Sequence, residues 1–393
     1  MKVFALGGAG TYGLLAARMM AASDVVSEIV IAGRNMDAAR SAAAELGHKA
    51  TTVQIDFSDE GRLASLVAGS DLIVNTAGPE HKAVLPALRA AIKSGVNYCD
   101  ICAYGPTTEE ALTLDADAKA ANITALLGVG LDPGISNLMM MHAARQFDLA
   151  EDLRYCIFQV VAMYGGTPQA LLDQWRAAGH TDASWQFVMM LAAGNVRLYR
   201  DGLLTDVDPA NNAVRMTPPQ GGEVMAYPYR GPEPITLPRR LPGIRSVSVL
   251  ISMFPPGLNE LHCALGRRID RGELDESAAA VSFFEHMAAL PDQSLAAPKG
   301  CESGWIDWVE AVGIRQGQRV RYKCWPVGGW DGTSGPLATA ALKILRSDVR
   351  AKGVLSPESC LDPMSFFAEV AQNAGVRLPD GRLLDESFEV LTK

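Results

Sequence analysis

Met1-Lys2-Val3-Phe4-Ala5-Leu6-Gly7-Gly8-Ala9-Gly10-Thr11-Tyr12-Gly13 opens the chain and decides its fold. Val3 to Leu6 is an apolar run of strand length, and residues 14–22, rich in Leu, Ala, Arg and Met, favour a helix. Between them Gly8, Gly10 and Gly13 fit the spacing G-x-G-x-x-G. A strand before that spacing and a helix after it is the setting in which it binds a dinucleotide. Gly8 is assigned to the tight turn, Gly10 to close approach of a pyrophosphate, and Gly13 to close packing of helix on strand. N–H groups at the helix start would face the phosphates.

The pattern repeats outward. Residues 28–32, 51–55, 71–75, 95–101 and 123–127 read as further strands. Helical stretches lie between them: one capped by Asn35 and running to about Leu46, then 62–67, 86–93 and about 109–121. Strands alternating with helices imply a parallel sheet with right-handed crossovers, so the expected class is α/β with a Rossmann doubly wound parallel sheet. An acidic residue at the end of the second strand would bond a ribose 2′-hydroxyl and mark NAD. Gly33-Arg34-Asn35 stands there instead, and Arg34 suits a 2′-phosphate. The expected cofactor is therefore NADP, with NAD possible. Thr76-Ala77-Gly78-Pro79 ends the fourth strand with small residues that let a cofactor pass. The candidate cofactor contacts are Gly8, Gly10, Thr11, Tyr12, Gly13, Arg34, Asn35, Asp56, Thr76, Ala77 and Gly78.

Beyond Gly128-Val129-Gly130-Leu131-Asp132-Pro133-Gly134 the periodicity changes. A helix over 135–147 comes first. Residues 153–161, 245–252, 261–265, 305–312 and 318–325 then read as strands, the last two joined as a hairpin through 313–317. Helices are expected near 169–178 and 276–289, and loops over 201–242, where Pro, Gly and Asn cluster. This is an α+β domain with a mixed or antiparallel sheet. Residues 328–336 mark a second break, followed by helices over 337–349 and 365–373 and a surface tail or short strand over 379–393.

Composition excludes several classes. The 393 residues carry a net charge of −9, against a nucleic-acid partner, and no apolar run reaches the length of a membrane span. Seven Cys, an odd number, point to reduced thiols in the cytoplasm, and the start is not a signal peptide. No hydrolase or kinase motif occurs. Cys99-Asp100-Ile101-Cys102 lacks the second ligand pair of a zinc site, so no metal is expected. Asp100 and Asp132 fall at the carboxyl ends of parallel strands, where α/β sheets place ligands, and a buried carboxyl there can handle a proton. Asp132 also suits a helix cap. His81 follows Gly78-Pro79, beside the expected nicotinamide, and reads either as a proton carrier or as a surface residue. The candidate catalytic residues are Asp132, Asp100 and His81. The breaks at 128–134 and 328–336 each open a helix. Their starts, with Arg239, Arg240 or Arg245, are expected to hold a substrate carboxylate.

Several of these landmarks fall in the same order as in the saccharopine dehydrogenase (glutamate-forming)-like family, which the chain resembles. They are Gly8-Ala9-Gly10-Thr11-Tyr12-Gly13, Ala32-Gly33-Arg34, Asn75-Thr76-Ala77-Gly78-Pro79, Asn97-Tyr98-Cys99-Asp100, the 128–134 turn, and Lys352-Gly353-Val354-Leu355-Ser356-Pro357-Glu358. Ile101-Cys102-Ala103-Tyr104 departs from it, where saccharopine reductases continue into a Thr-Ser-Tyr-type run. The resemblance implies a dinucleotide-binding domain of 1–131 plus 333–393, with the substrate domain of 132–332 inserted. It also implies hydride transfer at a C–N bond of a small, amino-acid-like substrate, with Asp132 matching the family's acidic residue. A homodimer is expected. Two other functions stay open: a non-catalytic NAD(P)-binding regulator, and a C=C (enoyl or lipid) reductase.

Overall fold

The computed structural model describes residues 1–163, 167–299, 301, 304–327, 332–376 and 378–391. The strands, in chain order, are β1 (Lys2–Leu6), β2 (Glu28–Gly33), β3 (Ala50–Gln54), β4 (Leu72–Asn75), β5 (Asn97–Asp100) and β6 (Thr124–Leu126). There follow β7 (Leu149–Val160), β8 (Val196–Arg200), β9 (Leu203–Val207), β10 (Val214–Met216), β11 (Val224–Pro228) and β12 (Ser246–Phe254). The last are β13 (Trp305–Arg315), β14 (Gln318–Pro326), β15 (Gly353–Leu355) and β16 (Leu384–Val390). The chain divides into two units, Met1–His142 with Pro326–Leu384, and Ala143–Trp325 with Asp385–Lys393.

The first unit is a seven-stranded parallel sheet in the order β15-β6-β5-β4-β1-β2-β3. Phe4 lies between Val30 and Ile73, and Ala125 between Tyr98 and Val354. Val3 to Leu6, Ile29, Ile31, Leu72 and Ile73 are at most 2% exposed. Such continuous apolar strands are what a sheet covered on both faces requires. Helix Thr11–Ala21 packs on helix Ser334–Leu345, and helix Glu80–Ser94 packs between Glu60–Val67 and Gly105–Leu112. The order reverses between β1 and β4, the switch point at which such sheets bind ligands. Two local expectations change. The first helix begins at Thr11, so the glycine turn runs straight into it. The stretch 109–121 is two helices, Gly105–Leu112 and Asp115–Ala120.

The second unit holds a nine-stranded mixed sheet, β10-β11-β12-β7-β13-β14-β16, with β8 beside β12 and β9 beside β8. β12 and β7 are parallel, whereas β7/β13 and β13/β14 are antiparallel. The β13–β14 turn uses Gln316 and Gly317, both at positive φ (50° and 75°). Helices Pro168–Ala178, Ala183–Met190 and Glu276–Ala288 meet through Trp175, Trp185, Phe283 and Phe284, with Trp185 and Phe284 ring centroids 4.6 Å apart. The expected strand at 261–265 is part of helix Leu258–Asp270. Its buried set of Leu258, Asn259, His262, Cys263, Leu265 and Gly266 has helical spacing. The expected loops over 201–242 contain β9, β10 and β11. β16 joins the second sheet, and residues 132–142 group with the first unit, so these limits differ from 1–131 plus 333–393. Of the expected break at 328–336, residues 328–331 lie outside the described residues. Among the described residues, no helix is long and apolar enough to cross a membrane.

Candidate dinucleotide site

The glycine turn at the end of β1 is built by exclusion. Gly7 donates its N–H to the Ala32 oxygen (2.8 Å), and Gly10 donates to the Gly7 oxygen (2.9 Å). Gly7 has φ +80°, and a Cβ there would lie 2.5 Å from the Ala77 nitrogen. The strained position of the turn is thus Gly7, a residue the G-x-G-x-x-G reading passed over. Gly8 keeps a negative φ and instead lacks room against the Ala5 side chain, at 2.7 Å. At Gly13 a Cβ would run into the Gly7 oxygen and Thr76 Oγ1, the close helix packing expected of it. At Gly10 it would meet only the Gly7 oxygen at 3.2 Å, so that side of the turn is open. No side chain caps the helix start behind it. The Thr76 N–H (2.8 Å) and hydroxyl (3.3 Å) both donate to the Leu6 oxygen, holding Thr76, Ala77 and Gly78 beside the turn. An open glycine turn with an uncapped helix start is a cradle for a pyrophosphate, so these residues fit a dinucleotide.

Arg34, Asn35 and Asp56 stand at the ends of β2 and β3. Arg34 is exposed and Asp56 is near it. The Asp56 carboxyl is held low by the Ser58 N–H (3.0 Å) and hydroxyl (2.8 Å), and then by the Arg34 charge. Asn35 Oδ1 accepts from the Asp37 and Ala38 N–H groups at 3.0 and 3.1 Å, capping the next helix. The position thus offers one exposed guanidinium, and Asn35 shapes the turn that presents it.

The proton-bearing groups gather where β4, β5 and β6 end. Half-buried Asp132 lies in a turn tied to itself: Gly130 N–H donates to the Pro133 oxygen at 2.7 Å. Gly134 has φ +124°, and a Cβ there would lie 2.6 Å from the Gly130 nitrogen. Tyr12 is 42% exposed as a residue, and its phenol is raised by the burial of the remainder, then by the negative charges of Asp132 and Glu80, so both carboxyls lie near it. Glu80 opens helix Glu80–Ser94, and its Oε2 accepts the Ala103 N–H at 2.9 Å. Burial pushes its carboxyl up to about 8; the Ala103 bond opposes the shift and the Asp100 charge adds to it. His81 sits in the same first turn, half-buried, its ring 5.9 Å from that of Tyr104. Glu80 was missing from the sequence reading, because an acid at a helix start is ordinarily explained by the helix dipole alone.

Asp100, a candidate proton handler, is 1% exposed and so not open to solvent, and both of its carboxyl oxygens accept hydrogen bonds. It accepts from Tyr98 Oη (2.8 Å), the Cys102 N–H (3.0 Å) and the Gly128 N–H (2.7 Å). Burial lifts it to about 6, against the pull of these donors. The helix start after the 128–134 turn is not free for a carboxylate either. The Gly134 N–H goes to Asn137 Oδ1, the Ile135 N–H to the Gly130 oxygen and the Ser136 N–H to the Leu131 oxygen, each at 3.0 Å. At the start of the helix after the second break, Ser334 donates its hydroxyl to the Tyr12 oxygen at 3.1 Å. Of the candidate clamp residues in the second unit, Arg239, Arg240 and Arg245 are exposed, and Arg245 pairs with Asp201 at 3.1 Å.

A parallel sheet with a glycine cradle at its switch point defines a Rossmann-type dinucleotide-binding protein, here with a second unit on a mixed sheet. Residues 3–126 match the family described as the saccharopine dehydrogenase NADP-binding domain. Carboxyaminopropylagmatine dehydrogenase of Synechocystis sp. is 24% identical, over 93% of this chain and 94% of its own. A saccharopine dehydrogenase [NADP(+), L-glutamate-forming] of Pyricularia oryzae and a trans-acting enoyl reductase of Mycobacterium ulcerans are each also 24% identical. They match over 53% and 51% of this chain but only 45% and 47% of their own lengths. Among solved structures, an apo saccharopine dehydrogenase (L-Glu forming) from Saccharomyces cerevisiae shares the fold, with a TM-score of 0.64, 16% identity and 99% of both chains covered. Residues 3–126 thus carry a dinucleotide domain of the saccharopine dehydrogenase NADP-binding type, and the chain as a whole shares the fold of the yeast enzyme.

Proposed function

We propose that this protein is an NADP-dependent oxidoreductase acting on a C–N bond, by imine reduction or amine oxidation, of an amino-acid-like substrate. The observation that carries the reading is the match to carboxyaminopropylagmatine dehydrogenase along nearly the whole of both chains. The Gly7–Gly13 turn and Thr76 to Gly78 would hold the cofactor, and Arg34 its 2′-phosphate. When bound, the cofactor gives or takes the hydride. The chain's own residues handle the proton. Glu80, its carboxyl raised to about 8, is protonated at neutral pH and can give a proton to a nitrogen. Asp132, beside the Tyr12 phenol, orients an ammonium and receives its proton in the oxidative direction. His81 stands in the same turn as Glu80 and can pass that proton to water. The same reading has the enzyme as a cytoplasmic homodimer; light scattering of the purified protein checks the dimer, and cell fractionation checks the location.

The test follows NADPH absorbance with amines paired with oxo acids or aldehydes, and in parallel with enoyl thioesters. Consumption with an amine–carbonyl pair supports the reading. Consumption with enoyl thioesters alone would replace it by C=C reduction, the activity in the name of the M. ulcerans relative. Tight NADPH binding without turnover on either set would make the protein a regulator.

A further inference from the structure

We infer that Asp100 is a positioning residue: through one buried hydrogen-bond chain it fixes both the cofactor wall at residues 76–78 and the turn that carries Asp132. The inference rests on the proposed use of Asp132 toward the substrate. The chain begins at the wall, where the Ala77 N–H donates to Asn75 Oδ1 at 3.1 Å. Asn75 Nδ2 donates to Tyr98 Oη at 3.0 Å, and Tyr98 Oη donates to Asp100 Oδ2 at 2.8 Å. The other carboxyl oxygen takes the Cys102 and Gly128 N–H groups, and the Asp100 main-chain oxygen takes the Val129 N–H at 2.8 Å. Asn75, Tyr98 and Asp100 are at most 2% exposed, so no water replaces a lost member. Every donor points towards the carboxyl, and only an acceptor in that place satisfies them all.

Both ends of the chain are closely packed. A Cβ on Gly7 would overlap Ala77, so the wall rests on the glycine turn. A Cβ on Gly128 would lie 2.6 Å from Pro133 Cγ and 3.0 Å from the Cys102 oxygen, so Gly128 rests on the residue after Asp132. Displacement at one end is therefore delivered to the other through Asp100. With both carboxyl oxygens occupied, Asp100 has no free edge for a substrate, which separates it from the residues that touch one.

The experiment cuts the chain in the middle with Tyr98→Phe and, separately, changes its hub with Asp100→Asn. Amide exchange at Ala77, Gly128 and Val129 is read with and without NADPH, alongside NADPH affinity by fluorescence titration and steady-state kinetics. In wild type, NADPH should slow exchange at all three amides. In Tyr98→Phe it should bind within about fivefold of wild type and still slow Ala77, but not Gly128 or Val129. At saturating NADPH, kcat should fall at least tenfold while the substrate KM changes less than threefold. If Tyr98→Phe does not fold, the same readings on Asp100→Asn decide. NADPH-dependent slowing at Gly128 and Val129 that is absent in wild type, or that survives undiminished in the variant, overturns the inference. Loss of that coupling in a protein that turns over no amine–carbonyl pair would uphold the link and remove the proposed reaction instead.

Discussion

Gly10 and Gly13 are the same residue type with different constraints. Gly10 borders open space and Gly13 borders backbone and Thr76. Gly10→Val should leave the fold intact and abolish NADPH binding, since its side chain occupies the pyrophosphate's place. Gly13→Ala should cost stability itself, about 1–3 kcal/mol, because the helix must move off the turn. Thermal melting and NADPH titration of the two variants check this, and the reverse ranking would contradict it. Arg34→Ala should weaken NADPH by about 1.5–3 kcal/mol, roughly ten- to a hundredfold, with NADH affinity nearly unchanged. Equal NADPH affinity in wild type and variant would mean that another group reads the 2′-phosphate. Spacing exposed Gly10, Gly13 and Arg34 as candidates, because each role is local. It could not expose Gly7 or Glu80, whose roles come from backbone and loops that lie 70 and 23 residues away, at Ala77 and Ala103.

At the scale of elements, the start of helix Glu80–Ser94 carries a pH-dependent load. The Glu80 carboxyl is raised from its ordinary 4.5 to about 8, so folding favours its protonated form. That contribution is fully present below pH 4.5 and is lost as pH rises through 8. Glu80→Gln keeps an oxygen for the Ala103 N–H and removes the ionisation. Between pH 5 and 9 the melting temperature of the variant should therefore gain on that of the wild type, and parallel curves would place Glu80 in water. How far elements could be read from the sequence follows their burial. Residues 3–6 of β1, 29–32 of β2 and 72–74 of β4 are continuous apolar, buried runs, because both faces of their sheet are covered. β9 reads Leu203-Leu204-Thr205-Asp206-Val207, an outer strand with no such pattern, so Pro and Gly around it suggested loops. Residues 261–265 failed for a different reason: five residues of mixed apolar character carry no period, and only the longer window from Leu258 to Asp270 shows the helix.

At the scale of the whole molecule, the first sheet is completed by β15, which pairs Gly353 to Leu355 with Thr124 to Leu126 of β6. Thr124, Ala125 and Leu126 are at most 1% exposed in that arrangement. A chain ending at Leu345 should therefore fold poorly, with a strand edge open and β15 lost, and should aggregate on expression. A soluble truncated chain with wild-type NADPH affinity would show β15 to be dispensable. The same pairing imposes a schedule on biosynthesis. β6 leaves the ribosome at Leu126 and its partner ends at Leu355, 355 − 126 = 229 residues later. At about 5–20 residues per second, the nascent sheet waits roughly 10 to 50 s with that edge unpaired. Over this interval the edge of β6 is open to any other unpaired strand of the growing chain, until β15 closes it.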